Sequence, residues 1–152
     1  MNPSSNIFPS LSLVVPLYEE EDNVAPLLAR IHEGLAGYAG AWELICVDDG
    51  SRDGTGRVLQ AAGADYGPHV RVIRLRRNFG QTAAMQAGLE AARGELIATL
   101  DGDLQNDPAD IPRLVEELLE RDLDLLQGWR QKRQDGWLLR KLPSLIANRL
   151  IA

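Results

Sequence analysis

Two carboxylates and an amide lie close together in the segment Asp101-Gly-Asp103-Leu-Gln105, which directly follows an apolar run. Only a glycine separates the two aspartates, so both carboxylates can approach one ligand. Carboxylate and amide oxygens are the hard ligands that Mg²⁺ and Mn²⁺ prefer, and these ions leave coordination positions open for substrate phosphates. The segment therefore predicts a divalent metal site. The competing interpretation is a solvated turn, because Asp107 and Pro108 can begin the next helix.

Two other protein classes carry similar aspartate patterns. A calcium-binding EF-hand loop beginning at Asp101 would need glycine where this chain has Asn106 and glutamate where it has Pro112, so the spacing excludes it. Phosphatases of the haloacid dehalogenase type carry Asp-x-Asp on their first strand and continue to threonine or valine, where this chain has Gln105. That alternative is weak.

A second acidic pair, Asp48 and Asp49, ends another apolar run and is followed by Gly50 and Ser51. A carboxylate at the end of a strand can accept a hydrogen bond from a nucleotide base or a ribose hydroxyl. The nearby glycines form neither a P-loop nor the dinucleotide-binding fingerprint, because the Lys-Ser/Thr pair of the first and the third glycine of the second are missing. A nucleotide contact and a simple Asp-Gly turn are both open on this motif alone.

The first apolar run also leads into polar residues. Tyr18 follows Pro16 closely and can stack on a nucleotide base, while Glu20 can bond a ribose. Taken alone, this segment is a weak indication of nucleotide binding.

Arginines are the candidate ligands for phosphate. Arg76 and Arg77 follow the third apolar run, while Arg130 and Arg133 lie in residues 128–152, a segment with six basic and one acidic side chain. Guanidinium groups suit diphosphate or lipid phosphate, but a solvated surface role is equally open. Residues 1–127 carry ten basic and 21 acidic side chains, which argues against nucleic acid as a partner. The basic, amphipathic segment suits an anionic membrane surface.

Apolar runs alternate with helical patterns along the chain, and these elements must position the polar residues. The predicted strands are Leu11–Pro16, Leu44–Val47, Val70–Leu75, Glu95–Leu100 and Leu123–Gln127. The predicted helices begin at Asp22 or Asn23, at Thr55, at Gln81 and near Ile111. This alternation predicts an α/β fold with a largely parallel sheet covered on both faces. Ligands of such sheets collect beyond the carboxyl ends of the strands.

The bulk composition predicts one domain. With 152 residues and 45% hydrophobic content, we expect a flexible leader at residues 1–10 and a packed unit at residues 11–127. No apolar run reaches the roughly 18 residues that span a bilayer. Cys46 is the only cysteine, so no disulfide forms within the chain, which fits a reducing cytoplasm. His32 and His69 have no partner at ligand spacing and are expected to play structural or surface roles.

Five ordered motifs together resemble family 2 glycosyltransferases with the GT-A fold, in the branch of dolichol-phosphate mannose synthase and the bacterial polyprenyl-phosphate glycosyltransferases. The motifs are Val14–Val24, Val47–Thr55, Arg77–Gly80 with Ala84 and Gly88, Leu100–Pro108 and Gly128–Arg133. The resemblance implies a Rossmann-like three-layer sandwich with a mostly parallel sheet, in which residues 11–127 form the nucleotide-sugar-binding domain. Members of the branch continue into an acceptor half, which we expect to be lacking here, with residues 128–152 as its start.

The resemblance also implies roles for individual residues. Contacts with the nucleotide sugar or the phosphates would come from Pro16, Tyr18, Glu20, Asp48, Asp49, Asp101, Arg130 and Arg133. The implied metal ligands are Asp101, Asp103 and Gln105, and Asp101 and Asp103 would be the catalytic residues.

The implied activity is a metal-dependent, inverting transfer of a sugar from a nucleoside-diphosphate sugar to polyprenyl phosphate, of the undecaprenyl or dolichyl type, with Mg²⁺ or Mn²⁺ as cofactor. The expected location is cytoplasmic and peripheral, at the inner face of the cell membrane, and a homo-oligomer is left open. Two alternatives stay open: a soluble family 2 transferase that acts on a saccharide hydroxyl, and a catalytically incomplete nucleotide-binding or subunit module.

Overall fold

A computed structural model describes residues 8–128 as a four-stranded sheet with helices on both faces. The strands are β1 (Leu11–Leu17), β2 (Trp42–Asp48), β3 (Val70–Arg74) and β4 (Leu96–Thr99). The α-helices are α1 (Glu21–Leu35), α2 (Thr55–Tyr66), α3 (Gln81–Ala91) and α4 (Ile111–Glu120), and a short 3-10 helix covers Pro108–Asp110.

All neighbouring strands run parallel, in the order β3-β2-β1-β4. Strand β1 lies between β2 and β4, and all seven of its residues are buried. It continues through Pro16 to Leu17, one residue past its predicted end, and the Leu17 carbonyl accepts a hydrogen bond from the Asp49 amide at 2.8 Å. Because the strands are parallel, the loops that leave their carboxyl ends all lie along one edge of the sheet.

Two hydrophobic layers enclose the sheet. On one face, Leu13 and Val15 of β1 belong to a cluster that also contains residues of α1, α2 and α4. On the other face, Val14 packs with Ala84 of α3. Gly88 of α3 approaches so closely that an added Cβ would lie 2.3 Å from Val14 Cγ1. The predicted α/β three-layer sandwich is confirmed.

Three local predictions are wrong. Helix α1 begins at Glu21, so the predicted caps Asp22 and Asn23 lie inside its first turn. The negative charge of Asp22 there interacts favourably with the helix dipole. The segment Leu123–Gln127 is not a strand, since no strand in residues 8–128 pairs with the outer edge of β4. The packed unit begins before Leu11: Phe8 packs edge-on against Tyr38, and the Tyr38 hydroxyl donates to the Pro9 carbonyl at 2.7 Å.

The two histidines, expected to be isolated, form a pair. The Nε2 atoms of His32 and His69 are 2.9 Å apart, and His32 also stacks on Tyr66 and packs edge-on against Trp42. Burial, and next the nearby His32, lower the pKa of His69. The pair lies in the aromatic packing near the amino-terminal ends of β2 and β3, at the opposite edge of the sheet from the carboxyl-end loops.

Candidate functional site

A cavity of about 390 Å³ opens at the carboxyl ends of β1, β2 and β4. Six of the residues predicted as site residues line it: Pro16, Tyr18, Glu20, Asp49, Asp101 and Asp103. The parallel sheet brings these residues together although they come from three separate parts of the sequence. Gln105 follows Asp103 closely but does not line the cavity. Arg130 and Arg133 lie outside the described residues.

The lining of the cavity is strongly acidic. Glu20, Asp49, Asp101 and Asp103 contribute four carboxyl groups, and no lysine or arginine among residues 8–128 lines it. An anionic ligand placed here without a counter-charge would be repelled by these carboxylates. The cavity is therefore suited to a cation, or to an anion that arrives with one.

The loop after β4 carries Asp101 and Asp103 in a fixed conformation. Leu104 has a φ of 60°, a left-handed value that leucine rarely adopts. The Arg30 side chain of α1 donates to the Leu104 carbonyl at 2.9 Å, and Asp103 Oδ1 accepts from the Gln105 amide at 3.1 Å. These contacts hold the turn, and no hydrogen bond within residues 8–128 uses Asp103 Oδ2.

Gln81 is a site residue that the sequence reasoning missed. It is the first residue of α3, it lines the cavity, and its Nε2 donates to Asp101 Oδ1 at 3.1 Å. Asn78, three positions earlier, also lines the cavity. The available signal for Gln81 was its place directly after the loop that follows the third strand, since that loop must begin at the same edge of the sheet as Asp101.

Asp49 holds the loop between β3 and α3 in place. Its side chain is nearly buried, and its two carboxylate oxygens accept from the backbone amides of Phe79 at 2.8 Å and Gly80 at 2.9 Å. These bonds fix the segment that delivers Asn78 and Gln81 to the cavity. Asp49 thus lines the cavity and also positions the loop between β3 and α3.

Asp48 does not line the cavity, which corrects its predicted ligand contact. The side chain is fully buried. Its Oδ1 accepts from the Ser51 amide at 2.9 Å, and its Oδ2 lies 3.2 Å from Arg74 Nε, an ion-pair contact without hydrogen-bond geometry. Asp48 therefore stabilises the turn that follows β2 and lies behind the cavity.

The loop after β1 is tied to the turn after β2. Glu19 has a φ of 54°, and its amide donates to Ser51 Oγ at 2.9 Å. The next amide, of Glu20, donates to Thr55 Oγ1 at the same distance. These bonds place Tyr18, whose side chain is partly exposed, and Glu20 on the cavity wall.

The side-chain oxygens of the loop after β4 are of the type that binds Mg²⁺ or Mn²⁺. Asp101, Asp103 and Gln105 offer only oxygen ligands, and Mg²⁺ binds commonly through one or two carboxylates completed by substrate phosphates. No group of three His, Cys, Asp or Glu side chains within residues 8–128 is arranged to hold a metal by itself. Such an ion would therefore complete its coordination with oxygens from water or from a bound ligand.

None of the described helices is both long enough and apolar enough to cross a membrane.

Comparison with known proteins gives concordant matches. The family model for glycosyl transferase family 2 matches residues 12–151. The chain is 57% identical over 141 residues to a dodecaprenyl-phosphate galacturonate synthase of Rhizobium johnstonii, covering 93% of this chain and 42% of that protein. It is 43% identical over 141 residues to an undecaprenyl-phosphate 4-deoxy-4-formamido-L-arabinose transferase of Klebsiella pneumoniae, with 93% and 42% covered. The chain thus spans less than half the length of these relatives.

Solved structures show the same fold. The mannosyltransferase PcManGT of Pyrobaculum calidifontis, in complex with GDP-Man and Mn²⁺, superposes with a TM-score of 0.64 at 24% identity, over 74% of this chain and 33% of that one. TarS of S. aureus superposes with a TM-score of 0.60 at 20% identity, over 84% of this chain and 24% of that one. At these identities the likeness concerns the fold, which is GT-A.

Proposed function

Because this chain belongs to glycosyl transferase family 2, we propose that the acidic cavity binds a nucleoside-diphosphate sugar together with a divalent cation. We further propose that the protein transfers the sugar to a polyprenyl phosphate. The observation that carries the first proposal is the lining itself, with four carboxyl groups and no basic side chain among the described residues.

The charge balance of the cavity makes a cation necessary for this donor. Two like unit charges 4 Å apart repel by about 4 kcal/mol at the effective dielectric constant of a protein surface. A diphosphate beside the four carboxyl groups would meet several such repulsions. A divalent cation between diphosphate and carboxylates turns those repulsions into attractions, so donor and metal are expected to bind together.

The residues divide into ligand contacts and supports. Asp101 and Asp103 would hold the cation, which when bound supplies Lewis-acid neutralisation of the charge on the departing diphosphate. Gln105, which lies outside the lining, would have to turn towards the cavity to be the third ligand. Tyr18 offers its ring to the base, and Glu20 offers a carboxylate to the ribose, in keeping with their places on the wall.

The names of the relatives support the choice of acceptor, since both refer to a polyprenyl phosphate, dodecaprenyl in one case and undecaprenyl in the other. The chemistry is consistent with this choice. A phosphate monoester has a second pKa of about 6, so at neutral pH its oxygen is already anionic and needs no strong general base. Attack of that oxygen on the anomeric carbon, with the nucleoside diphosphate leaving from the opposite face, gives inversion.

The remaining expectations belong to the same proposal. Arg130 and Arg133 would contact the diphosphate or the acceptor phosphate, and the basic segment that contains them would hold the protein at the inner face of the membrane. Mg²⁺ and Mn²⁺ are both candidate cofactors, and Mn²⁺ accompanies GDP-Man in the PcManGT complex.

Calorimetry tests the donor site directly. The chain is titrated with UDP-sugars and GDP-sugars, with and without Mn²⁺, and compared with Asp103→Asn, which keeps the shape of the side chain and removes its charge. We expect binding only with metal, and at least about tenfold weaker binding in the variant, because a hydrogen bond or ligand contact to a charged group contributes ~1.5–3 kcal/mol. Asp65→Asn, on the exposed surface of α2, is the matched control. Metal-independent binding, or equal binding by Asp103→Asn, would refute the metal site.

A transfer assay separates the proposed reaction from its alternatives. The chain is incubated with a labelled donor and undecaprenyl phosphate in detergent, and in parallel with saccharide acceptors. Labelled lipid supports the proposal, whereas labelled saccharide indicates a hydroxyl-directed transferase. Donor binding without any transfer would identify a nucleotide-binding module.

A further inference from the structure

A second cavity, of about 690 Å³, lies beside the acidic one and has the opposite charge. It opens at the carboxyl end of β3 and the turn after β2, and the two cavities share Tyr18 and Asn78 as a common wall. Four arginines line it: Arg52, Arg74, Arg76 and Arg77. These are four of only ten basic residues within residues 1–127, a part of the chain with a net charge of −11.

Most of this positive charge is not neutralised by the protein. Arg74 pairs with the buried Asp48. Within residues 8–128, by contrast, no carboxylate forms an ion pair with Arg52, Arg76 or Arg77, whereas Arg57, Arg71, Arg113 and Arg121 all have acidic partners. The neighbouring Asp49 carboxylate is hydrogen-bonded to two backbone amides and forms no ion pair with these arginines. Three of the four arginines that line the cavity therefore have no ion-pair partner among residues 8–128, and its lining is positively charged.

Two of the four arginines, Arg74 and Arg77, are held in place from behind. Gly50, with a φ of 68°, allows the backbone of Arg77 to pack so closely that an added Cβ would lie 2.2 Å from the Arg77 carbonyl carbon. The guanidinium of Arg77 lies 4.7 Å from the ring centroid of Phe79, and that of Arg74 lies against Asp48 and donates to the Ser51 carbonyl at 3.4 Å. Ordering these long side chains before a ligand arrives lowers the entropic cost of binding.

We propose that this arginine cavity is a binding site for a phosphate-type anion, separate from the donor site. Guanidinium groups match the geometry of phosphate oxygens and form charge-assisted hydrogen bonds with them. A neutral or cationic ligand would leave the excess charge uncompensated. The anion has two possible sources, a soluble phosphate compound or the headgroup of an anionic phospholipid, and both present the same chemistry to the arginines.

The proposal does not rest on donor binding, so the test is made without divalent metal. Inorganic pyrophosphate is titrated into the chain by calorimetry, and flotation measures capture by vesicles of phosphatidylglycerol mixed with phosphatidylcholine, against phosphatidylcholine alone. The test variant is Arg76→Gln/Arg77→Gln. The control, Arg113→Gln/Arg121→Gln, removes the same charge from exposed arginines of the α4 region that have acidic partners. Far-UV circular dichroism verifies that both variants fold.

We expect the test variant to bind the anion at least about tenfold more weakly than the wild type, because two charge-assisted contacts are lost, while the control stays within a factor of about two. Loss of pyrophosphate binding supports a soluble phosphate, and selective loss of vesicle capture supports a lipid headgroup. If neither ligand responds selectively to Arg76 and Arg77, the arginines are solvated and the proposal is wrong. Pyrophosphate binding that appears only when Mg²⁺ is added, and that Asp103→Asn but not the arginine variant abolishes, would place the anion in the donor cavity and overturn it equally.

Discussion

Replacing Asp49 by asparagine should destabilise the fold strongly although the two side chains have the same shape. The wild-type carboxylate accepts two backbone hydrogen bonds, from Phe79 at 2.8 Å and from Gly80 at 2.9 Å. Asparagine keeps only one acceptor oxygen. Its amide nitrogen, whichever way it is turned, must face one of the two backbone N–H groups, so a hydrogen bond becomes a contact between two donors.

The magnitude follows from these two bonds. A hydrogen bond to a charged group contributes ~1.5–3 kcal/mol and a neutral one ~1 kcal/mol. Asp49→Asn loses one charged bond and weakens the other, and the side chain is only 3% exposed, so water cannot easily replace the loss. The expected decrease in the free energy of unfolding is therefore about 2–4 kcal/mol, a large part of the ~5–15 kcal/mol of a typical domain.

Urea denaturation measures this decrease, with Asp65→Asn as the control on an exposed surface. The control should stay within about 0.5 kcal/mol of the wild type. Stability is a cleaner readout than donor affinity here, because removing a negative charge from the cavity wall would by itself favour an anionic donor. If Asp49→Asn is as stable as the control, then the Phe79 and Gly80 amides have other partners and the positioning role is wrong.

Two further predictions concern other parts of the fold. Burial, and next the nearby His32, lower the folded-state pKa of His69 below its usual value of about 6.5. Between the folded-state and unfolded-state pKa values the unfolded state therefore binds more protons. The contribution of His69 to stability is complete above pH ~6.5 and is lost as the pH falls through the folded-state pKa. As the pH is lowered through this range, the urea midpoint should fall in the wild type and change less in His69→Gln. An equal pH dependence of the midpoint in both proteins would contradict a lowered pKa of His69. Gly50→Ala should cost more than about 2 kcal/mol, since alanine is strained at a φ of 68° and its Cβ would overlap the backbone of Arg77. Gly37→Ala, with nothing within 4 Å of the added Cβ, is the control in the same denaturation assay, and an equal effect of both changes would refute the packing argument.

The sequence was sufficient to predict which loops meet, because this follows from the direction of the strands. Apolar runs that alternate with helices require parallel strands, and parallel strands bring Tyr18, Asp49 and Asp101 to one edge whatever their separation along the chain. The type and order of the elements required no knowledge of individual contacts. For this reason the fold and half of the twelve residues that line the cavity could be predicted.

The partner of each polar side chain could not be predicted in the same way. Asp48 and Asp49 are adjacent and identical in type, yet one pairs with Arg74 behind the cavity and the other holds the amides of Phe79 and Gly80. The two neighbouring side chains point in different directions, and the segment that each one contacts lies about 25 to 30 residues further along the chain. The pairing of His32 with His69, 37 residues apart, depends on packing in the same way.

The predicted strand at Leu123–Gln127 failed for a different physical reason. Its apolar pattern is suitable for a strand, but a strand exists only where a second backbone satisfies its hydrogen bonds. Within residues 8–128 no such pairing is made, and Leu125 is 82% exposed. The sequence pattern alone indicates that the segment prefers an extended conformation, but it does not identify a strand with which the segment would pair.

The contacts around the cavity also explain how the Val47–Thr55 motif serves the site although Asp48 does not line the cavity. The Ser51 and Thr55 hydroxyls accept hydrogen bonds from the Glu19 and Glu20 amides and so hold the loop after β1. Asp49 holds the loop after β3 through its two hydrogen bonds. That second loop ends in Gln81, which bonds Asp101 in the loop after β4. The turn after β2 is thus connected to every other loop of the edge. Substitutions in this turn should therefore change the geometry of the whole donor cavity, and a carboxylate or hydroxyl there is needed mainly to hold its neighbours in place.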